Sequence, residues 1–159
     1  GLIIRTELVS NPELPLSGSA DKTAFKVYLA DIGLLRAKSN VSAMTILEES
    51  DNYIRYKGAF AENYVLNELR AKGKEPYFWR SGNVAEVDFV FEFSGEIVPV
   101  EVKSADNTQA KSYRQFCKKY EPRLGFKLSR KNIAENLCEK TPTISLPLYL
   151  GWNIDHYMT

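Results

Sequence analysis

The chain has 159 residues, 44% of them hydrophobic and 26% charged, enough for one domain with a real core and too apolar for a disordered segment. No apolar run is long enough to span a membrane, and two cysteines without CxxC spacing exclude a disulfide scaffold, so a reducing cytoplasm and no membrane partner are expected. The 21 basic against 20 acidic residues argue against a nucleic-acid binder only until the chain is divided. Residues 1–102 hold 11 basic and 15 acidic side chains, 103–131 hold nine and two, and 132–159 hold one and three. A basic segment beside an acidic one suits a polyanion site that carries its own carboxylates, although a solvated helix face explains a charge run equally.

The elements, in chain order, begin with a strand-like stretch from Leu2-Ile3-Ile4 to Glu7-Leu8-Val9, broken by Asn11-Pro12 and Pro15. Starting without Met and directly in an apolar stretch, it reads as a piece of a longer chain. Phe25, Leu29, Ile32 and Leu35 recur at helical spacing, with Asp21 as candidate cap and Gly33 as an irregularity. A weak helix is expected around 41–48. A long amphipathic helix is expected from about Tyr56 to Lys72, closed by Gly73. Tyr77-Phe78-Trp79-Arg80 reads as a strand and Ser81-Gly82-Asn83 as a turn. From Val84 to Phe93 the chain alternates, placing Val87, Phe89, Phe91 and Phe93 on one face and Glu86, Asp88 and Glu92 on the other. Ser94-Gly95 turns it back into a strand from Glu96 to Lys103, a hairpin. A helix from Asp106 to Tyr120 with the stripe Ala110, Tyr113, Phe116, Cys117, Tyr120 follows, then a strand at Leu124–Leu128 and a last strand at Ile144–Leu150, weakened by Pro142 and Pro147.

Chemistry concentrates on Glu62 in the long helix, Asp88 in the first hairpin strand, and Glu101 and Lys103 in the second. Period two sets Glu101 and Lys103 on one face, with Val100 and Val102 on the other. Paired carboxylates raise each other's pKa unless a cation relieves them, and hard oxygen ligands suit Mg²⁺ or Mn²⁺. A lysine beside such an ion can orient water and offset charge on a phosphoryl group. His156, the only histidine, matches no motif.

Asp88, twelve intervening residues and Glu101-Val102-Lys103 resemble the signature of the PD-(D/E)XK, or restriction-endonuclease-like, nuclease superfamily. The segments FKVYLADIGLL (25–35), GAFAENYVLNEL (58–69), AEVDFVF (85–91), IVPVEVKSA (97–105) and LPLYL (146–150) also resemble the domain of unknown function found C-terminal in predicted AAA-type ATPases of bacteria and archaea. The Pro of the superfamily's motif name is absent, Val87 standing before Asp88, and the carboxylate is unaffected.

The resemblance implies an α/β fold with an αβββαβ core, a mixed sheet flanked by helices, and an N-terminal strand/helix appendage. Residues 1–20 would connect to an upstream ATPase and winged-helix region, and 21–159 would form the nuclease-like domain. With no GxxxxGK[ST] in the chain, ATP would bind only in that upstream region. Asp88 and Glu101 would hold the metal, Lys103 would position water, and Glu62 would complete the catalytic set. Glu86, Lys111 and Ser112 would be auxiliary, and Arg114, Lys118 and Lys119 would contact phosphate. DNA and the chain's own ATPase region are the expected partners, and acidic and basic faces leave an oligomer open. The expected function is Mg²⁺-dependent phosphodiester hydrolysis. The alternative is a catalytically inactive nuclease-fold module that binds DNA or protein and regulates the ATPase.

Overall fold

A computed structural model describes residues 1–42, 44–45, 51–82, 85–104 and 110–158, with 51–55 described by backbone alone. The framework is one eight-stranded mixed sheet with helices on its faces. The elements are β1 (Ile3–Val9), α1 (Leu16–Ser19), β2 (Ala20–Leu29), α2 (Ile32–Lys38), α3 (Asp51–Ala71), β3 (Tyr77–Ser81), β4 (Ala85–Phe93), β5 (Glu96–Val102), α4 (Lys111–Tyr120), β6 (Gly125–Ser129), β7 (Ala134–Cys138) and β8 (Thr141–Pro147). A 3₁₀ segment, Leu148–Tyr157, closes the described chain. The strands lie in the order β2-β1-β3-β4-β5-β6-β8-β7.

From α3 onward the elements run helix, three strands, helix, strand, as the hydrophobic pattern predicts. The pattern succeeds there because each element has its own local signal. Gly73 takes φ +72° just past α3, a backbone only glycine adopts freely. Ser94 and Gly95 take φ +49° and +78°, the two positive values of a tight turn whose twist matches the β4–β5 hairpin. The α4 stripe is buried at Tyr113, Phe116 and Cys117, and the helix stops at Glu121, in the left-handed region, before Pro122. The first part of that predicted helix, from Asp106, and the turn residue Asn83 lie outside the described residues, as does half of the helix expected around 41–48.

The expected helix over Phe25–Leu35 is corrected. Residues 20–29 are the edge strand β2, antiparallel to β1 with Ile3 opposite Leu29 and Arg5 opposite Val27. Only Ile32–Lys38 is helical. Phe25 and Leu29 stand four apart, a spacing that both periodicities share, and β1 decided the matter by supplying a hydrogen-bond ladder. Asp21 caps nothing; its carboxylate accepts from Thr23 N–H at 2.8 Å, while Asp31 caps α2 through Leu34 N–H at 3.1 Å. The final strand also shifts, to Thr141–Pro147, so that Pro142 and Pro147 sit near its two ends, where a missing N–H does least harm. Strand β7, antiparallel to β8, was not anticipated.

The sheet buries a core on each face. One cluster joins Val65, Leu66 and Leu69 of α3 to Phe89, Phe91, Val100, Phe126 and Leu146. The other joins Tyr113, Phe116 and Cys117 of α4 to Val9, Trp79, Val87 and Val90. Val87 thus packs on the opposite side from Phe89 and Phe91, which corrects the single face predicted for β4. The cause is a bulge: Tyr77 pairs with Val90 but Trp79 with Val87, so β4 holds one extra residue there. That segment contains Asp88. Residues 1–20, read as a connection, contribute β1, which pairs with both β2 and β3.

Candidate functional site

The two strands of the β4–β5 hairpin are in register from Phe93 opposite Glu96 up to Phe89 opposite Val100. Beyond that pair the ladder ends, and Asp88 turns its carboxylate toward β5 and accepts from Val102 N–H through Oδ2 at 2.8 Å. Parallel pairing of β5 with β6 holds the other strand, Glu101 opposite Lys127, and Lys103 N–H donates to Leu128 C=O at 2.8 Å. The bulge and the parted hairpin together bring Asp88 close enough to Glu101 for the Glu101 charge to act on it.

Glu101 is the most buried charged side chain among the described residues, at 3% exposure. Its Oε1 pairs with Lys103 Nζ at 2.6 Å, while Oε2 is buried with no hydrogen-bond partner among the described residues. Loss of water raises the Glu101 pKa, with Lys103 and Lys127 working against the rise and Glu62 adding to it. Asp88 is half-buried, and its pKa is raised well above the usual carboxylate range by desolvation, then by the charges of Glu101 and Glu62. Burial opposes the Lys103 ammonium, but Glu101, Asp88 and Glu62 outweigh it, and its pKa lies above the ordinary lysine value.

Glu62 enters from α3. That helix passes the end of β5, so that a Cβ on Gly58 would lie 3.9 Å from Ser104 Oγ. Glu62 Oε2 accepts from Tyr28 Oη at 3.0 Å and lies 3.5 Å from Lys26 Nζ. Lys26 Nζ also pairs with Glu86 Oε1 at 2.5 Å, and Arg80 holds Glu86 Oε2 through two nitrogens at 2.6 and 3.1 Å. Burial works to raise the Glu86 pKa, but its two cations hold it below the ordinary value. Glu86 is therefore committed to Lys26 and Arg80. A cleft of about 420 Å³ opens here, lined by Lys26, Tyr28, Gly58, Glu62 and Asn63.

The structure thus gathers Asp88, Glu101, Lys103 and Glu62. Among the described residues no hydrogen bond or ion pair ties Lys111 or Ser112 to that group; Lys111 is exposed and lines a separate cleft of about 490 Å³ with Arg114 and Lys127. The Arg114 guanidinium is held by Glu139, Lys118 is exposed, and Lys119 Nζ lies 4.7 Å from the Tyr120 ring. Sequence reasoning missed Lys26, Tyr28 and Arg80. The alternation Phe25-Lys26-Val27-Tyr28 carried the signal for two of them and was read at helical spacing instead.

Residues 57–149 match the family described as "Domain of unknown function (DUF4143)", more than half of the chain. The chain belongs to this family. No curated protein and no solved structure matches it. The matched stretch contains Glu62, Glu86, Asp88, Glu101 and Lys103, whereas β1 and β2, with Lys26 and Tyr28, precede it.

Among the described residues no group of three or more His, Cys, Asp or Glu is arranged to hold a metal ion. A Mg²⁺ site needs fewer, typically one or two carboxylates completed by water and substrate phosphate. Asp88 and Glu101 fit that lesser demand. They are hard oxygen donors, each with a raised pKa, and among the described residues Glu101 Oε2 is a buried acceptor with nothing to accept from. No described helix is long and apolar enough to cross a membrane.

Proposed function

We propose that the chain is a nuclease-like domain of the PD-(D/E)XK type that hydrolyses phosphodiesters of DNA, joined in its full-length protein to an AAA-type ATPase. Domains of this family commonly stand C-terminal to such ATPases, which would supply the ATP site. One observation carries the reading: a buried oxygen on Glu101 with no partner among the described residues, beside Asp88, with Lys103 Nζ fixed 2.6 Å from the other Glu101 oxygen. Asp88 and Glu101 would hold Mg²⁺ or Mn²⁺, which when bound supplies Lewis-acid polarisation of a phosphoryl group. Lys103, kept cationic by three carboxylates, places positive charge where negative charge gathers on the phosphate, and its N–H groups orient water. Val102 N–H fixes the Asp88 carboxylate, so it need not reorganise on binding. Glu62 adds negative potential from α3.

The test is cleavage of linear and supercoiled DNA with Mg²⁺ or Mn²⁺. Activity that requires the ion and falls about a hundredfold or more in Glu101→Ala and Lys103→Ala is the expected result. Undiminished cleavage in both variants removes the reading.

A second reading, a nuclease-fold module that binds DNA or a protein partner and regulates the ATPase without catalysis, is favoured by the lysines already seated on the carboxylates: Lys26 on Glu62 and Glu86, Lys103 on Glu101. It predicts retention of DNA without cleavage under any divalent ion.

A further inference from the structure

Lys26 is an odd lysine for an edge strand. Lysines on such strands ordinarily carry their charge into water. This one is only 22% exposed, lies on β2 facing α3 and β4, and has acids on two elements around it. Its ammonium is 2.5 Å from Glu86 Oε1 and 3.5 Å from Glu62 Oε2. Glu86 has a second cation, since Arg80 holds its other oxygen in two hydrogen bonds. Glu62 has only the Tyr28 hydroxyl beside Lys26 among the described contacts, and both fall on Oε2.

The two halves of the site are coupled through this carboxylate. The Glu62 charge acts on Asp88, Glu101 and Lys103, and the Lys26 charge acts on Asp88. Burial opposes the Lys26 ammonium, yet Glu62, Glu86 and Asp88 keep it charged. A divalent ion between Asp88 and Glu101 would attract Glu62 and repel Lys26, and one carboxylate oxygen cannot serve both cations at full strength.

We infer that Lys26 is a tethered cation that competes with a divalent ion for Glu62, holding that carboxylate against β2 until the ion draws it away. The inference rests on the reading of Asp88 and Glu101 as the ion's ligands. It assigns a role in the site to a strand that lies outside the family-matched segment, so the competition is a property of the N-terminal hairpin and not of the matched residues alone.

The experiment is calorimetric titration of the whole chain with Mn²⁺ alone, without nucleic acid or turnover, on wild type, Lys26→Met, Lys26→Gln and Lys26→Arg. Removing the cation tightens Mn²⁺ binding by about fivefold or more, the low end of ordinary coupling between linked sites. Lys26→Arg retains the wild-type affinity. In a Glu62→Gln background, Lys26→Met has a smaller effect than in wild type. Circular dichroism identifies any variant that fails to fold, and of Met and Gln the folded one decides. Unchanged or weakened binding in a folded Lys26→Met or Lys26→Gln overturns the inference while leaving the ion site intact. Binding by Lys26→Met where wild type shows none supports it in its strongest form. Absence of binding in every variant removes the ion site, and the competition with it.

Discussion

Edge strand β2 carries Lys26 and Tyr28 into the site, and Asn63 of α3 is what holds its end. The Leu29 N–H donates to Asn63 Oδ1 at 2.9 Å, Asn63 Nδ2 donates to Leu29 C=O at 2.9 Å, and Asn63 Nδ2 also donates to Asn67 Oδ1 at 2.8 Å. Asn63 is 1% exposed, so water cannot easily replace these partners. In Asn63→Ala the Leu29 carbonyl keeps Asn67 Nδ2 at 3.1 Å, but the Leu29 N–H loses its acceptor. An orphaned donor of this kind costs about 1–3 kcal/mol, and the two other lost hydrogen bonds add about 0.5–1.5 kcal/mol each. The expected loss is therefore about 2–6 kcal/mol, or a fall in Tm of roughly 4–24 °C for a chain of this size. Urea unfolding followed by circular dichroism measures it. Asn67→Ala, which removes two bonds from a half-buried position, loses about 1–3 kcal/mol by the same reasoning. A loss of less than about 0.5 kcal/mol in Asn63→Ala would refute the account, because surface substitutions alone fall in that range.

Two further outcomes follow from the packing and charge of the sheet. A Cβ on Gly125 would collide with Tyr113 Oη and stand 3.0 Å from Pro99 Cγ, so Gly125→Ala must displace a buried ring hydrogen-bonded to Thr143 at 3.1 Å; the loss is about 1–3 kcal/mol by denaturant unfolding. For Asp88 the folded pKa is raised, so the native state binds its proton more tightly than the unfolded chain, and stability falls as pH rises from the ordinary carboxylate value of 3.8 through the raised one. Asp88→Asn is therefore more stable than wild type at neutral pH, with a gain that shrinks as pH falls toward about 4, while divalent-ion binding is lost. A denaturation midpoint at neutral pH below that of wild type contradicts this.

The contrast between the two halves of the chain shows what pattern reading can reach. Helix α3, the β4–β5 hairpin and α4 each announce themselves within about twenty residues, through a 3.6-residue stripe, a two-residue period or a turn dipeptide, and Glu62, Asp88, Glu101 and Lys103 can be named from those signals. Strand β2 cannot, because Phe25 and Leu29 satisfy both periods and its ladder partner lies some twenty residues earlier in β1. The bulge at Asp88 is equally hidden: one extra residue against β3 moves Val87 to the other face of the sheet, and alternation alone cannot register it.

The amino-acid sequence by itself determined the order of the main elements and the four acidic and basic groups of the motif, because local periodicity and hairpin length set both. Tertiary structure alone decided that β1 and β2 join the same sheet and that Lys26 and Tyr28 reach Glu62. It also left Glu101 Oε2 buried without a partner among the described residues. These facts depend on pairing between distant strands and on the loss of water around particular atoms, which no local spacing encodes. The near-neutral total of basic and acidic residues hid this arrangement; the charges matter through where the sheet brings them together.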